Sequence, residues 1–465
     1  MATEELLSRS SRRGRLTLAT VTLGAGIALL DGTVVSIAVK SMGLSLHASL
    51  QDLQWVTNGY MLTLASLILV GGDLGDRLGR RRMYFTGVAG FGVASALCAA
   101  AQNPTQLILL RIVQGVFAAL LTPGSLAILQ STFRPEDRAW AIGRWAGVSG
   151  LATAAGPIVG GFLLDHGGWR WIFAINVPLC VLVLLLGRAI PESRDGESRR
   201  PFDFRGAVLG VVALAGSTYL LTSWRDHPGP AVAAGIVAVL AGAAFIVVEH
   251  RPAAMVPLDL FESAVFTAAN LMTFLVYGAL GAGMFLLVIQ LEMSAGYGPT
   301  AAGLASLPIA AMMLFFSARI AVIAQRTGPR LPMAVGPIVC AVGMALLSRI
   351  ADPAPYWSSV FPGMLVFACG LTTLVAPLTA AVLGAAPSRH AGIASGINNA
   401  VARSGSLLAV AAIPAIVGLG GDVYQHPAAL TSGYRSAQLL CAGLLAVGGL
   451  VSWFGLRPRS AIMSS

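Results

Sequence analysis

Predominantly apolar runs long enough to cross a lipid bilayer recur from one end of this 465-residue sequence to the other, a pattern no soluble fold can bury. A helix needs roughly 20 apolar residues to span about 30 Å of hydrocarbon. Fourteen runs meet that need: 16–39, 55–71, 83–101, 107–133, 139–164, 171–187 and 206–224, then 228–248, 264–291, 301–324, 331–348, 358–387, 391–421 and 437–456. The mean hydropathy of +0.77 and a charged fraction of only 11% agree with an all-α polytopic membrane protein. The first run is too long for a cleavable signal core and lacks a convincing cleavage site, so it is expected to stay as an anchor.

A net charge of +10 could mean a nucleic-acid binder, but the placement of the charge argues against that partner. About 21 of the 30 basic residues fall in alternate loops, against five (Lys40, Arg170, Arg225, Arg349 and Arg435) on the other side. By the positive-inside rule both termini are expected in the cytoplasm, which demands an even number of crossings. The remaining four, Arg111, Arg144, Arg319 and Arg403, lie inside runs. Five scattered cysteines with no C-x-x-C pair imply neither a disulfide framework nor a metal site.

Between the second and third runs stands a short charged loop, Gly72, Leu74, Asp76, Arg77, Gly79, Arg80 and Arg81, spelling G-x-L-x-D-R-x-G-R-R. It has a worn copy in Gln325, Arg326, Gly328 and Arg330, and Pro123 with the stretch 135–143 is echoed by Pro377 with 387–396. Parallel repeats of six helices account for twelve runs and leave 206–224 and 228–248 as a central insertion. The expected division is therefore a six-helix bundle over 1–190, a linker with two inserted helices over 191–262, and a second bundle over 263–465. Charge and proline mark the boundaries at 188–205 and 252–262.

The loop resembles the signature cytoplasmic loop of the major facilitator superfamily of transporters. Leu30-Asp31-Gly32-Thr33-Val34-Val35, Gln54-Trp55-Val56, Trp169-Arg170-Trp171-Ile172-Phe173 and Asn176-Val177-Pro178 narrow the resemblance to its fourteen-span drug:proton antiporters. The antiporter motif of the fifth span is present as Gly156-Pro157-Ile158-Val159-Gly160-Gly161, with Gly143 upstream. Ala152, Lys40 and Ser36 depart from the usual glycine, proline and asparagine of that family. The resemblance implies two six-helix bundles that rock about a central cavity, with both termini cytoplasmic and export as the direction of transport.

Asp31 is the only carboxylate well inside a run, and a charge at that depth costs roughly 2.5 kcal/mol or more unless it is paired or protonated. At 1.5 Å per residue Asp31 lies about 12 Å from the outer end of its helix, and Arg111 about 9 Å from the outer end of its own. The depths agree, and the resemblance places both helices on the central cavity. Asp31 is expected to carry the coupling proton with Arg111 tuning it; a static buried ion pair is the competing reading. Arg111, Gln114 and Gly115 also match the family's R-x-x-Q-G. Asp76 and Arg77 are expected to latch a neighbouring helix end at the cytoplasmic face, with Asp76 favouring a positive N-terminus.

Candidates for cargo contact are Asn58, Tyr60, Gln114, Asn270, Tyr277, Gln290, Asn398, Asn399 and Arg403, any of which could instead be an interhelical hydrogen bond. The family's arginine of that last span falls one position earlier, at Ala402. Glu292 reads as an exposed residue at the outer mouth. The function implied is proton-coupled export of small, largely apolar or cationic molecules such as drugs, antibiotics and dyes. A lipid or dedicated metabolite as cargo stays open, and a non-transporting sensor would need an output domain for which the loops are too short. Six dispersed histidines and the absence of a G-x-x-x-x-G-K-[ST] loop speak against an enzyme and against ATP as energy source. Protons and the lipid bilayer are the expected partners, with no cofactor, a monomeric state and a bacterial inner membrane as location.

Overall fold

In the computed structural model the described residues are 6–193, 203–251, 256–386, 391–420 and 426–456, and they are helical nearly throughout. The helices are α1 (Arg12–Ile37), α2 (Leu50–Leu78), α3 (Arg80–Ala99), α4 (Pro104–Thr132), α5 (Pro135–Gly167) and α6 (Arg170–Ala189). After the linker come α7 (Phe204–Ser223) and α8 (Pro228–Glu249). The last six are α9 (Ala264–Met293), α10 (Leu307–Thr327, entered through a short turn Pro299–Leu304), α11 (Arg330–Leu347), α12 (Phe361–Ala385), α13 (Ala391–Ile416) and α14 (Pro427–Gly455). Parts of the expected boundaries, 194–202 and 252–255, and of the 387–396 echo, 387–390, lie outside the described residues.

Twelve of these helices are long and apolar enough to cross a membrane, so the chain is a multi-pass membrane protein. The two others, α3 and α5, are diluted by glycine and by Arg80, Arg81 and Arg82 in one and Glu136, Asp137, Arg138 and Arg144 in the other. Their 20 and 33 residues nonetheless reach about 30 and 50 Å. Local signals set the ends: Ser49 and Asp52 form a reciprocal capping box on α2, and Asn103 caps α4 just before Pro104.

Packing repeats along the chain. In the first six helices α2 lies on α4, α3 on α4 and α6, and α1 on α5 and α6. In the last six the same pattern returns as α10 on α12, α11 on α12 and α14, and α9 on α13 and α14. The groups meet along two seams, α2 with α13 and α5 with the Pro299–Leu304 turn and α10. The hairpin α7–α8 packs on itself and lays α7 over the α2–α13 seam.

The worn copy of the loop keeps its shape as well as its letters. Gly79 ends α2 at φ 115° and Gly328 ends α10 at φ 79°, a region that L side chains rarely adopt. Pro123 and Pro377 each sit inside a helix, α4 and α12.

Candidate functional site

The first six helices close around one ion pair. Arg111 Nη1 on α4 lies 2.6 Å from Asp31 Oδ2 on α1, with 1% and 0% of the two side chains exposed. Oδ1 of Asp31 accepts from Gln114 Nε2 at 3.1 Å and from Asn176 Nδ2 at 2.9 Å. Ser95 Oγ on α3 accepts from the same two amides, at 2.7 and 3.3 Å. Arg111 spends Nη1 also on Gln114 Oε1 and Nε on the carbonyl of Val56 in α2, while its guanidinium lies 4.2 Å from the Tyr60 ring centroid. Five helices thus supply one buried network, and every charge in it has a partner, which is the condition under which burial is tolerable.

Asp31 and Arg111, matched in the sequence by depth and by the resemblance that sets both helices on the central cavity, are in direct contact. Gln114, expected among cargo contacts, faces Asp31 instead and is fully buried. The sequence offers Asn176 only as part of the Asn176-Val177-Pro178 motif and gives no sign of Ser95; the structure brings both onto Asp31 or its partners.

At the arginine-rich end the charged loop pairs along α2 and across the turn. Arg77 Nε bonds Asp73 and Arg80 Nε bonds Asp76, both at 2.7 Å. The acid that meets a helix end is Glu192 rather than Asp76: its carboxylate accepts from the backbone N–H of Arg81 and Arg82 at 3.0 and 3.2 Å, at the positive N-terminus of α3. A Cβ at Gly79 would sit 2.7 Å from that carboxylate, so Gly79 both makes the turn and admits Glu192. Arg80 N–H donates to Ser193 O, tying the end of the first six helices to this loop. Gly72 faces Pro123 of α4 at an ordinary 3.7 Å.

The glycines of α5 do their work at the opposite end. A Cβ on Gly156 would lie 2.0 Å from Thr33 Oγ1 and one on Gly160 2.5 Å from Val34 Cγ2, so α5 and α1 approach more closely than any larger residue permits. A Cβ on Gly161 would meet Thr300 Cα at 2.5 Å, and one on Gly303 would meet the Pro157 carbonyl at 2.1 Å, which carries the seam across to the second six helices. Gly143 has nothing within 4 Å of its Cβ position and takes no part in that approach. Hydrogen bonds between the two groups gather at this same end: Lys40 Nζ to the Glu292 carbonyl at 2.7 Å, Gln54 Nε2 to the Val410 carbonyl at 3.0 Å, and Thr300 to Asp165. Glu292, expected at an exposed mouth, is only 2% exposed, because the helix ends are pressed together over it.

The remaining cargo candidates divide. Tyr60 is buried, its hydroxyl on the Ala28 carbonyl, and Asn58 is buried with neither amide atom hydrogen-bonded. Gln290 crosses to the Ile350 carbonyl and Thr431, and Asn270 bonds the Phe266 carbonyl, so both serve packing. Asn398 reaches Asn270 Oδ1 and Thr273 Oγ1 across the α9–α13 contact. Tyr277 and Arg403 are half-buried and Asn399 is exposed. Among the described residues no group of three or more His, Cys, Asp or Glu side chains could hold a metal ion.

The profile of the major facilitator superfamily matches residues 21–410. The chain belongs to the major facilitator superfamily. Relatives of this facilitator include a methylenomycin A resistance protein of Bacillus subtilis, 34% identical over 98% of this chain and 97% of that protein. A tetracenomycin C resistance and export protein of Streptomyces glaucescens is 34% identical over 89% and 78%. Among solved structures, a bacterial homologue of the human lysosomal transporter Spinster shares the major facilitator fold with a TM-score of 0.65 at 16% identity, covering 96% of this chain and 97% of that one.

Proposed function

We propose that this facilitator is a proton-coupled antiporter that exports small, largely apolar organic molecules, such as antibiotics, drugs and dyes, by alternating access. The observation that carries the coupling is the sealed Asp31–Arg111 pair: a carboxylate that is wholly buried yet held by three side chains, so gaining or losing a proton must rearrange contacts among several helices. Relatives named for resistance and export support the cargo class and the direction.

In this reading α3 and α5 also cross the bilayer, giving fourteen spans with both termini in the cytoplasm of a bacterium, and the protein works as a monomer. The bundles are 1–190 and 263–465, with 191–262 as linker and inserted pair. The bonds gathered at the far end then close the outer face. Outward opening has to break the Lys40 and Asp165 contacts while the loop of Asp76 and Arg77 closes the inner face. No cofactor is called for, since the proton gradient supplies the energy.

Inverted membrane vesicles with an imposed proton gradient test this, with a panel of cationic, neutral and acidic dyes and antibiotics and wild type beside Asp31→Asn. Gradient-driven uptake by wild type that the variant lacks is the expected result. Equal uptake by both would sink the coupling assignment, and no uptake of any compound would turn the reading to a lipid or a dedicated metabolite.

A further inference from the structure

The charge that remains available inside the spans is positive. Asp31 is neutralised by Arg111 and sealed from solvent. Arg403 stands about 18 Å into α13 from its first residue, near mid-depth, and among the described residues no carboxylate pairs with it. Its Nε is buried without a hydrogen-bond partner, while the side chain as a whole is only half-buried. A guanidinium carries five donors in a planar fork suited to a carboxylate, and leaving them unmet at this depth is costly.

The surroundings give that fork a direction. Arg403 and exposed Asn399, one turn before it, share the face of α13 that meets α2, where Gly396 packs on Leu69. Gly278 lies close to Gly405, bringing α9 alongside, and Arg403 falls within Coulombic range of both Tyr277 and Tyr60. Tyr277 is half-buried on this wall. Tyr60 already gives its hydroxyl to Ala28 and one ring face to Arg111, so it is a wall rather than a counter-ion.

We propose that Arg403, with Tyr277 and Asn399 beside it, is a binding site for a single acidic group on the cargo, a carboxylate or an ionised phenol carried by an otherwise apolar aromatic body. A cationic cargo, which the resemblance allows, would need a free carboxylate inside the spans to meet it. With Asp31 closed on Arg111, a cation meets Arg403 uncompensated and an organic anion meets the partner it needs. The inference rests on the export reading for its cargo, but binding is measurable without any gradient.

The test is the equilibrium binding of 9-anthracenecarboxylate and its neutral isostere 9-anthracenecarboxamide to purified full-length protein at neutral pH, followed by quenching of tryptophan fluorescence. Wild type is expected to prefer the carboxylate by about tenfold, a ratio typical of one charge-assisted contact. Arg403→Gln should reduce the ratio to near one, and Arg403→Lys should retain part of it, with thermal unfolding confirming that both variants fold. Equal binding of the two probes by wild type, no binding of either, or a ratio unchanged in Arg403→Gln would each overturn the proposal. So would loss of both probes together, which marks a structural arginine. A carboxylate preference without gradient-driven uptake in vesicles would sink the export reading and leave the anion site standing.

Discussion

The first six helices close their intramembrane charge on itself, whereas the last six leave theirs unmatched. Asp31, Arg111, Gln114, Asn176 and Ser95 bond one another in the interior of the first group. In the last six, side-chain hydrogen bonds join neutral groups across the α9–α13 contact, Asn270, Thr273 and Asn398, and Arg403 is left over on the α2 side. The helix packing is nevertheless the same in both. Backbone geometry set by Gly79 and Gly328, and by Pro123 and Pro377, thus survives duplication, while the polar side chains of the two groups diverge. In the proposed reading one bundle holds the proton and the other the cargo.

The difference is most easily broken at its charged centre. Asp31→Asn should lower gradient-driven transport by at least about a hundredfold, equivalent to roughly 2.7 kcal/mol, in a protein that still folds but unfolds at a lower temperature because Arg111 loses its counter-charge. Arg111→Gln should cost about 3–5 kcal/mol of stability, because it strands a buried carboxylate, and adding Asp31→Asn should recover most of that loss without restoring transport. Thermal unfolding of the two single variants and the double variant reads the cycle; additive losses would mean that the pair is not the unit that holds this bundle.

A smaller effect is expected at the turn that both halves share. Gly79→Ala forces a side chain into φ 115° and against Glu192, and should cost at least about 1 kcal/mol and slow turnover. Gly328→Ala, where nothing lies within 4 Å, should pay only for the dihedral. Equal losses at the two glycines, in stability and in initial transport rate, would erase the distinction drawn for Glu192. The smallest change is expected for Asn398→Ala, about 0.6 kcal/mol, since interhelical bonds between neutral groups in a membrane are worth little; a denaturation midpoint shifted as far as in Arg111→Gln would give the second bundle a polar centre as important as the first.

Most of the helices were legible because apolar length is a property of consecutive residues. Helices α3 and α5 were legible the same way, as the runs 83–101 and 139–164, although arginines and glycines dilute the full helices. Asp31 and Arg111 could be matched because depth in a bilayer follows from counting residues along each helix. Asn176 and Ser95 could not, since nothing in a sequence says which way an amide or hydroxyl turns once its helix is surrounded. The same holds for Gln114, which looks like a cavity residue until α1 is laid beside α4. Glu292 shows another limit: the end of its helix was read correctly, but its burial comes from two bundles meeting there, a contact written partly in Lys40 and Gln54 more than two hundred positions away.

The hairpin α7–α8 makes an otherwise two-sided molecule lopsided. A transporter built from matched halves has two flanks through which a lipid-dissolved compound could slip sideways between them, and here α7 roofs the flank formed by α2 and α13 while the flank of α5 and α10 carries no inserted helix. Of the two seams between the groups, only that of α5 and α10 is therefore left without a further helix layered over it among the described residues.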